Sequence, residues 1–231
     1  MKYRLKFSKE GPIRYIGHLD VMRYFQKAIR RANLPIAYSE GFSPHQIMSF
    51  AFPLSVGYTS EGEYFDIELT KQVNVEHIKN DLNLVMAEGI KILAVRELPE
   101  KAGNCMSLVY AATYLVRIKE RVELPQDYKE KYIDLFSQMT IPVNKPKKKG
   151  GGYISLDLKE FLYDFKIDNR NMIFTVNASS SDNIKPSFVA SVFFDYMGIP
   201  FSERDINVHR IEMWGNELGE GGLKLTSLMD I

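Results

Sequence analysis

Apolar and polar residues follow regular patterns through the first hundred positions of the chain. Charged and apolar side chains alternate from Lys2 to Ser8, which predicts a half-buried strand. From His18 to Ala32 the apolar residues recur with helical spacing and a cationic face lies opposite them, which predicts an amphipathic helix. The pattern then predicts extended pieces at 35–38 and 46–52, a strand at 63–70, a helix between Asn74 and Gly89, and a strand at 90–98. This order of strand, helix, strand, strand, helix, strand is typical of ferredoxin-like domains.

The second half of the chain repeats that order of elements without repeating the residues. Strands are predicted at 108–119, 153–167, 171–178 and 206–214, and helices begin at Pro125 and Pro186. A polar interruption at 99–104 predicts a boundary, and the Lys- and Gly-rich segment 144–152 predicts a loop. We therefore expect an α+β protein with two tandem ferredoxin-like (βαββαβ) domains and antiparallel sheets. The first domain covers residues 1–99, and the second covers 105–231 and contains the loop at 144–152.

Charge is distributed unevenly along the chain, although its formal net charge is only +1. Residues 1–36 carry nine Lys or Arg residues against Glu10 and Asp20, a local net charge of +7. This asymmetry indicates a polyanionic partner for the N-terminal segment. The alternative interpretation is an ordinary surface of solvated cations.

Several classes of protein are excluded by what the sequence lacks. Cys105 is the only cysteine, which excludes disulfide frameworks, zinc ribbons and iron–sulfur clusters held by several thiolates of this chain. The motifs GxGxxG, GxxxxGK[ST] and HExxH are absent, so no nucleotide cofactor or metal is predicted. No leader-like segment and no apolar run of about 20 residues occurs, so we expect a cytoplasmic protein without a membrane segment.

The stretch from Arg14 to Gly57 contains the most unusual chemistry of the chain. His18 begins the first helix, where free N–H groups and the helix dipole attract anions, and Arg14 and Arg23 could donate to a bound phosphate. His45 follows a tight Gly-Phe-Ser-Pro turn with aromatic neighbours. For each histidine, a purely structural role is an equally open interpretation. The run Lys145–Lys149 is either a solvated loop or a flexible segment that binds a phosphate backbone.

The candidate nucleic-acid-binding residues share a cationic, aromatic or imidazole side chain and fall in the N-terminal region or the lysine-rich loop. They are Arg14, Tyr15, His18, Arg23, Lys27, Arg30, Arg31, Phe42, His45, Lys147, Lys148 and Lys149.

Four stretches of the chain resemble a known group of bacterial proteins. They are R-Y-I-G-H-L-D-V-M-R, A-I-R-R-A-N-L-P-I-A-Y-S-E-G-F-S-P-H, S-F-A-F-P-L-S-V-G and S-E-G-E-Y-F-D. In these stretches the chain is similar to the uncharacterised radical SAM-linked family, whose members are fused to, or encoded beside, a radical SAM protein. The segment Asp157–Tyr163 is also compatible with the family's pattern. This sequence departs from it after His45, where family members tend to have a basic residue.

The resemblance implies work beside a separately encoded radical SAM enzyme, and together with the cationic segment it gives our leading hypothesis. We expect an RNA-binding accessory module that presents tRNA or rRNA to such an enzyme. An enzymatic alternative is a metal-independent endoribonuclease in which His18 or His45 is the catalytic base, Arg14 stabilises the phosphorane and Tyr15 orients the substrate. A third alternative is a protein-binding subunit of a radical SAM complex that makes no contact with RNA.

Overall fold

The computed structural model describes residues 1–147, 150–219 and 222–231. It divides into two compact units. The first unit comprises Met1–Tyr110 together with Arg210–Ile231, and the second comprises Ala111–His209. Both units combine helices with antiparallel strand pairs, so the chain is an α+β protein as predicted. None of the helices in the described ranges combines the length and the apolar character needed to cross a bilayer.

The first unit is built around its first strand. Its elements are β1 (Lys2–Lys9), α1 (His18–Arg31), β2 (Met48–Phe50), β3 (Thr59–Glu68), α2 (Val75–Val85), β4 (Ile90–Leu98), the short α3 (Cys105–Leu108), the later part of β10 (Ile206–Gly219) and β11 (Gly222–Ser227). Strand β1 pairs antiparallel with both β3 and β4, so that Leu5 faces Phe65 on one side and Val95 on the other. Strand β2 pairs antiparallel with β3, which gives the order β4-β1-β3 with β2 attached to β3.

The core of the first unit joins β1 to the apolar side of α1. Phe7, Phe25 and Phe65 are buried with ring centroids 4.6–5.6 Å apart. The helix ends because Asn33 adopts a left-handed conformation, with φ of +51°, which asparagine tolerates better than most residues. Asp20 in the first turn and Arg30 in the last have the signs that favour the helix dipole.

The second unit has its own strand order. Its elements are β5 (Ala111–Ile118), α4 (Tyr128–Ser137), β6 (Pro142–Pro146), β7 (Tyr153–Asp157), β8 (Leu162–Asp168), β9 (Asn171–Asn177), α5 (Pro186–Tyr196) and the start of β10. Strand β9 lies between β5 and β8 and pairs antiparallel with both. The strand order of this unit is β10-β5-β9-β8, and β6 and β7 form a separate hairpin.

Two details of the second unit differ from the sequence-based expectation. Residues 144–146, predicted to lie in a loop, belong to β6, because pairing with β7 supplies the backbone hydrogen bonds that composition cannot reveal. The predicted strand 153–167 is divided into β7 and β8 by a 3₁₀ turn at Leu158–Phe161. This turn is stabilised by the Asp157 carboxylate, which accepts a hydrogen bond from the N–H of Lys159 at 2.9 Å.

The two units also differ from the predicted division at 99–105. Residues 210–231 fall in the first unit, whereas the sequence-based division placed them in the second domain. The reason is side-chain bonding that the sequence does not display. Lys6 of β1 forms an ion pair with Glu212 of β10 at 2.7 Å, and Arg4 donates to the carbonyl oxygen of Leu228 at 2.8 Å.

Candidate nucleic-acid interface

Several cationic side chains of the N-terminal segment are buried or form ion pairs within the first unit. The guanidinium of Arg4 is fully buried and makes a two-pronged ion pair with Asp66 at 2.8 and 3.2 Å. Lys9 is buried as well, and its ammonium group donates to the carbonyl oxygen of Ile16 at 2.9 Å. With Lys6 paired to Glu212, these cations cannot contribute a free positive surface. The local net charge of +7 therefore overstates what a polyanion would meet.

The remaining cations form an exposed row on α1. Arg23, Lys27 and Arg30 are exposed and follow each other at intervals of four and three residues, which places them along one side of the helix. We call these three residues the α1 cationic stripe. Arg23 has an ion pair with Asp20 at 3.4 Å, but both side chains are more than 60% exposed, so water screens the pair. Lys27 and Arg30 have no ion pair within the part of the chain that the structure describes.

Arg31 has a different role from the stripe. Its guanidinium donates to the carbonyl oxygen of Val85 at the end of α2, at 3.1 Å. It also lies over the ring of Tyr24, 5.8 Å from the ring centroid. Arg31 therefore connects α1 to α2, and its predicted role in RNA binding competes with a structural one.

A turn with exposed aromatic side chains lies beside α1. We call residues 38–46 the aromatic turn. Phe42 at its tip is fully exposed and Tyr38 is 50% exposed. The side-chain amide of Gln46 is buried and donates to the carbonyl oxygen of Gln26 at 3.2 Å, which attaches the turn to the helix. The aromatic turn is therefore attached to the same helix that carries the α1 cationic stripe.

His45 closes the aromatic turn. Its Nδ1 lies 2.8 Å from the hydroxyl oxygen of Ser39, which also accepts the N–H of His45 at 3.1 Å. The backbone N–H of Ser39 in turn donates to the carbonyl oxygen of His45 at 2.8 Å. Gly41 has φ of +104°, a conformation that favours glycine, and so allows the chain to reverse. These contacts fit the structural interpretation of His45 as a turn-capping residue.

Arg14, Tyr15 and His18 gather at the N-terminal end of α1. The guanidinium of Arg14 lies over the exposed ring of Tyr15, 4.9 Å from its centroid, and its Nε is buried without a hydrogen-bond partner among the described residues. His18 is half-buried and packs edge-on against the ring of Phe50 at 5.5 Å. Burial, and to a lesser extent the ammonium group of Lys9, lower the pKa of His18 below its usual 6.5. The lowered pKa favours the neutral imidazole at pH 7.

His18 borders a small cavity, and charged residues that were not predicted from the sequence as site residues lie there. The cavity has a volume of about 20 Å³, enough for about one water molecule, and is lined by Phe7, Lys9, His18, Val21, Phe50, Phe52, Leu54 and Glu63. Glu63 is buried and pairs with the buried Arg210 at 2.8 Å. Burial raises the pKa of Glu63, while the charges of Arg210 and Lys9 act in the opposite direction. Glu63 could have been identified from the sequence, because it is a charged residue at a position where the strand pattern predicts an apolar one.

A ribonuclease that used both histidines would need His18 and His45 in one cleft. In the described residues, His18 contacts Phe50 and the small cavity, whereas His45 contacts Ser39 within its own turn. No contact in the described part of the chain joins the two histidines. Metal chemistry has no candidate there either, since the described residues contain no group of three or more His, Cys, Asp or Glu that could hold an ion.

The lysine-rich segment belongs to the second unit. Lys147 is exposed at the end of β6, and its backbone N–H donates to the carbonyl oxygen of Gly152 at 3.0 Å. Lys148 and Lys149, which the sequence analysis also selected, lie outside the described residues. Lys145 donates to the carbonyl oxygen of Asn183 at 2.6 Å, so it is attached to the segment before α5.

Comparison with known proteins identifies a family but no function. Among solved structures, the chain is similar to one from a crystal structure of a Cbf5-Nop10-Gar1 complex, with 11% identity and a TM-score of 0.46. The similarity covers 91% of this chain and 48% of that one, and its TM-score is too low to establish a common fold. No curated protein matches significantly. A family model matches residues 2–186, and the chain therefore belongs to the family described as uncharacterized protein conserved in bacteria (DUF2344).

Proposed function

We propose that this protein is an RNA-binding accessory module that presents tRNA or rRNA to a separately encoded radical SAM enzyme. The observation that carries the RNA-binding part is the α1 cationic stripe, together with the aromatic turn attached to the same helix. The radical SAM partner follows only from the sequence resemblance described above. We also propose that each unit is a ferredoxin-like domain, a proposal supported by the strand orders β4-β1-β3-β2 and β10-β5-β9-β8.

The α1 cationic stripe suits a phosphate backbone because its charges are exposed and evenly spaced. Residues three or four apart on a helix are about 5–6 Å from each other at Cβ, so three long side chains cover roughly two turns. Each cation that neutralises a phosphate releases a counterion, and binding then weakens as salt rises, by about 0.7 log units per contact and per log unit of salt for single strands. Three contacts correspond to a slope of about −2.

The aromatic turn supplies the second requirement of single-stranded recognition. Unpaired bases stack on exposed aromatic rings, and each stacked base contributes about 1–3 kcal/mol. Phe42 projects fully into solvent at the tip of the turn. The hydrogen bond from Gln46 attaches the turn to α1, and the contacts of His45 with Ser39 close the turn.

The test compares two triple charge reversals. Arg23→Glu, Lys27→Glu and Arg30→Glu together remove the α1 cationic stripe. Lys71→Glu, Lys91→Glu and Lys101→Glu make the same change of net charge at exposed positions elsewhere in the first unit. Arg31 stays unchanged in both variants because it bonds to Val85.

Binding to bulk tRNA and rRNA fragments is measured across a salt series, with every sample run on a denaturing gel. We expect the stripe variant to lose tight binding and about 2 units of salt slope, and the control variant to keep most of both. Equal binding by the stripe variant and the parent protein would refute the RNA interface. No binding by the parent at low salt would favour the alternative of a protein-binding subunit whose cationic face meets an acidic partner.

The endoribonuclease remains a second candidate because of one observation. His18 begins α1 and Arg14 lies four residues before it, in the preceding 3₁₀ turn, so an imidazole and a guanidinium that could bind phosphate both lie near the start of α1. The lowered pKa of His18 favours the neutral imidazole that a general base requires. The same gels test it. New RNA fragments that disappear in the His18→Ala variant, with binding retained, would establish cleavage. Intact RNA in all samples would exclude it.

A further inference from the structure

The second unit contains a cavity beside the N-terminal end of α5 that has no part in the proposed RNA interface. Its volume is about 500 Å³, within the range of small-molecule pockets. It lies between the β6 end of the hairpin, the segment before α5, and the chain near Phe201. Its lining comprises Lys145, Pro146, Lys147, Asn183, Lys185, Ser187, Phe188, Ser191, Phe201 and Glu203. Three lysines against one glutamate give this cavity a positive charge.

The end of α5 offers a free backbone donor to the cavity. Lys185 occupies the position before the helix, and no side chain caps this helix end. Pro186 has no N–H group, and the N–H groups of Phe188 and Val189 both donate to the carbonyl oxygen of Lys185. Ser187 is therefore the residue in the first turn whose N–H has no carbonyl to bond within the helix. Such a group, at the positive end of the helix dipole, favours an anion.

Ser187 supplies a second, independent indication of a ligand. Its side chain lines the cavity although the residue is only 5% exposed. Among the described residues its hydroxyl has no hydrogen-bond partner. Its donor and acceptor capacity is therefore available to a group bound in the cavity.

The other residues that line the cavity indicate which kind of ligand would bind there. Lys145 is half-buried and held at the wall by its bond to the Asn183 carbonyl oxygen, while Lys185 is exposed at the rim. Phe188 and Phe201, both partly exposed, add an apolar surface to the lining of the cavity. A ligand that fits both parts carries a phosphate group at one end and a flat apolar or aromatic group at the other.

We propose that this cavity binds the phosphate monoester of a nucleotide, with the phosphate at Ser187, Lys145 and Lys185 and the base against Phe188 and Phe201. The N–H and the hydroxyl of Ser187 donate to phosphate oxygens, and the two lysines neutralise their charge. The nucleotide is either free or the 5′-phosphorylated end of an RNA strand. The site lies in the other unit from the α1 cationic stripe, so it does not depend on the proposed RNA interface.

The experiment is a titration of the full chain followed by NMR and calorimetry. The probes are 5′-AMP, adenosine and inorganic phosphate, and short RNA strands with a 5′-phosphate or a 5′-hydroxyl. We expect 5′-AMP to bind and shift the amide signal of Ser187, and adenosine to bind at least tenfold more weakly. Stronger binding of the 5′-phosphorylated strand than of 5′-AMP would assign the site to RNA ends, and the reverse order would assign it to free nucleotides.

Three variants connect binding to the named groups. Ser187→Ala removes only the hydroxyl and is expected to weaken 5′-AMP binding about tenfold, because a hydrogen bond to a charged group is lost. Lys185→Gln is expected to weaken it about two- to fivefold, since the side chain is exposed. Lys166→Gln, the same change on β8, serves as the control and leaves binding unchanged.

Three results would overturn the proposal. One is the absence of any shift with 5′-AMP in a protein whose spectrum shows it folded. Another is equal affinity for 5′-AMP in the parent and in both cavity variants. A third is equal affinity for inorganic phosphate and 5′-AMP, which would leave an anion site without a nucleotide. The α1 stripe variant should bind 5′-AMP normally, which separates failure of this site from failure of the RNA interface.

Discussion

Replacing Arg4 by methionine should remove a large part of the stability of the first unit. All five N–H groups of Arg4 are used: two bond to Asp66, two bond to the carbonyl oxygens of Leu228 and Ile231, and one bonds to that of Gly103. The distances are 2.8–3.2 Å and the guanidinium is fully buried. Methionine keeps the apolar length of the side chain and removes every one of these bonds.

The size of the stability loss follows from the groups that lose their partner when Arg4 is replaced. Breaking a buried ion pair by removing one partner costs about 3–5 kcal/mol, because the other charge stays buried. Asp66 is 14% exposed and keeps its bond to the N–H of Cys105 at 2.8 Å, which favours the lower end. The carbonyl oxygens of Leu228 and Gly103 lose their partner as well, at about 1 kcal/mol each. We therefore expect a loss of about 5 kcal/mol from a typical total stability of about 5–15 kcal/mol.

Urea unfolding followed by tryptophan fluorescence measures this loss directly, because Trp214 is the only tryptophan and lies in the first unit. Arg23→Met is the matched control, since its ion pair is mostly exposed and should contribute no more than about 0.5 kcal/mol. Arg4→Lys keeps the charge and loses the two-pronged geometry, so it should fall between the two. Similar unfolding midpoints for Arg4→Met and Arg23→Met would refute the structural role of Arg4.

Two further predictions concern other residues of the first unit. Gly62→Ala places a Cβ atom 2.6 Å from Cα of Glu212, so urea unfolding should show a loss of about 1–3 kcal/mol in stability. The control is Gly17→Ala, which has open space around it and should cost less than about 1 kcal/mol. Because the pKa of His18 is lowered in the folded state, the unfolded chain binds this proton more tightly, and stability is lost as pH falls below about 6.5. The His18→Gln variant lacks this loss between pH 7 and 5, and parallel stability profiles for the two proteins would contradict the assignment.

The periodicity of apolar residues predicted the local structure of the first unit well. The strand expected at 2–8 is β1 at 2–9, and the helix expected at 18–32 is α1 at 18–31. These elements are determined by neighbouring residues: Phe25 and Ile29 form a buried stripe, and Asn33 ends the helix. Information of this kind is present in any short window of the sequence.

The roles of the charged residues could not be predicted in the same way, because the residues that pair with them are distant in sequence. The alternation in β1 predicted that Arg4 and Lys6 face solvent, but Asp66 and Glu212 meet them from positions far along the chain. A local count of charges treats every cation as free. For the candidate site, the exposure of the α1 cationic stripe was predictable from the helical pattern, whereas the bond of Arg31 to Val85 depends on where α2 ends.

The return of the last residues to the first unit affects the order in which the chain can fold during synthesis. The second unit, Ala111–His209, is continuous and has every residue it needs once His209 has been made. The first unit cannot be completed until Arg210–Ile231 have been synthesised, although its β1 strand is synthesised first. At about 5–20 residues per second, making the second unit takes on the order of 5–20 s. During that interval Lys6 lacks its partner Glu212, and Arg4 lacks two of its acceptors, the backbone oxygens of Leu228 and Ile231. We therefore expect the nascent first unit to be the segment that chaperones bind.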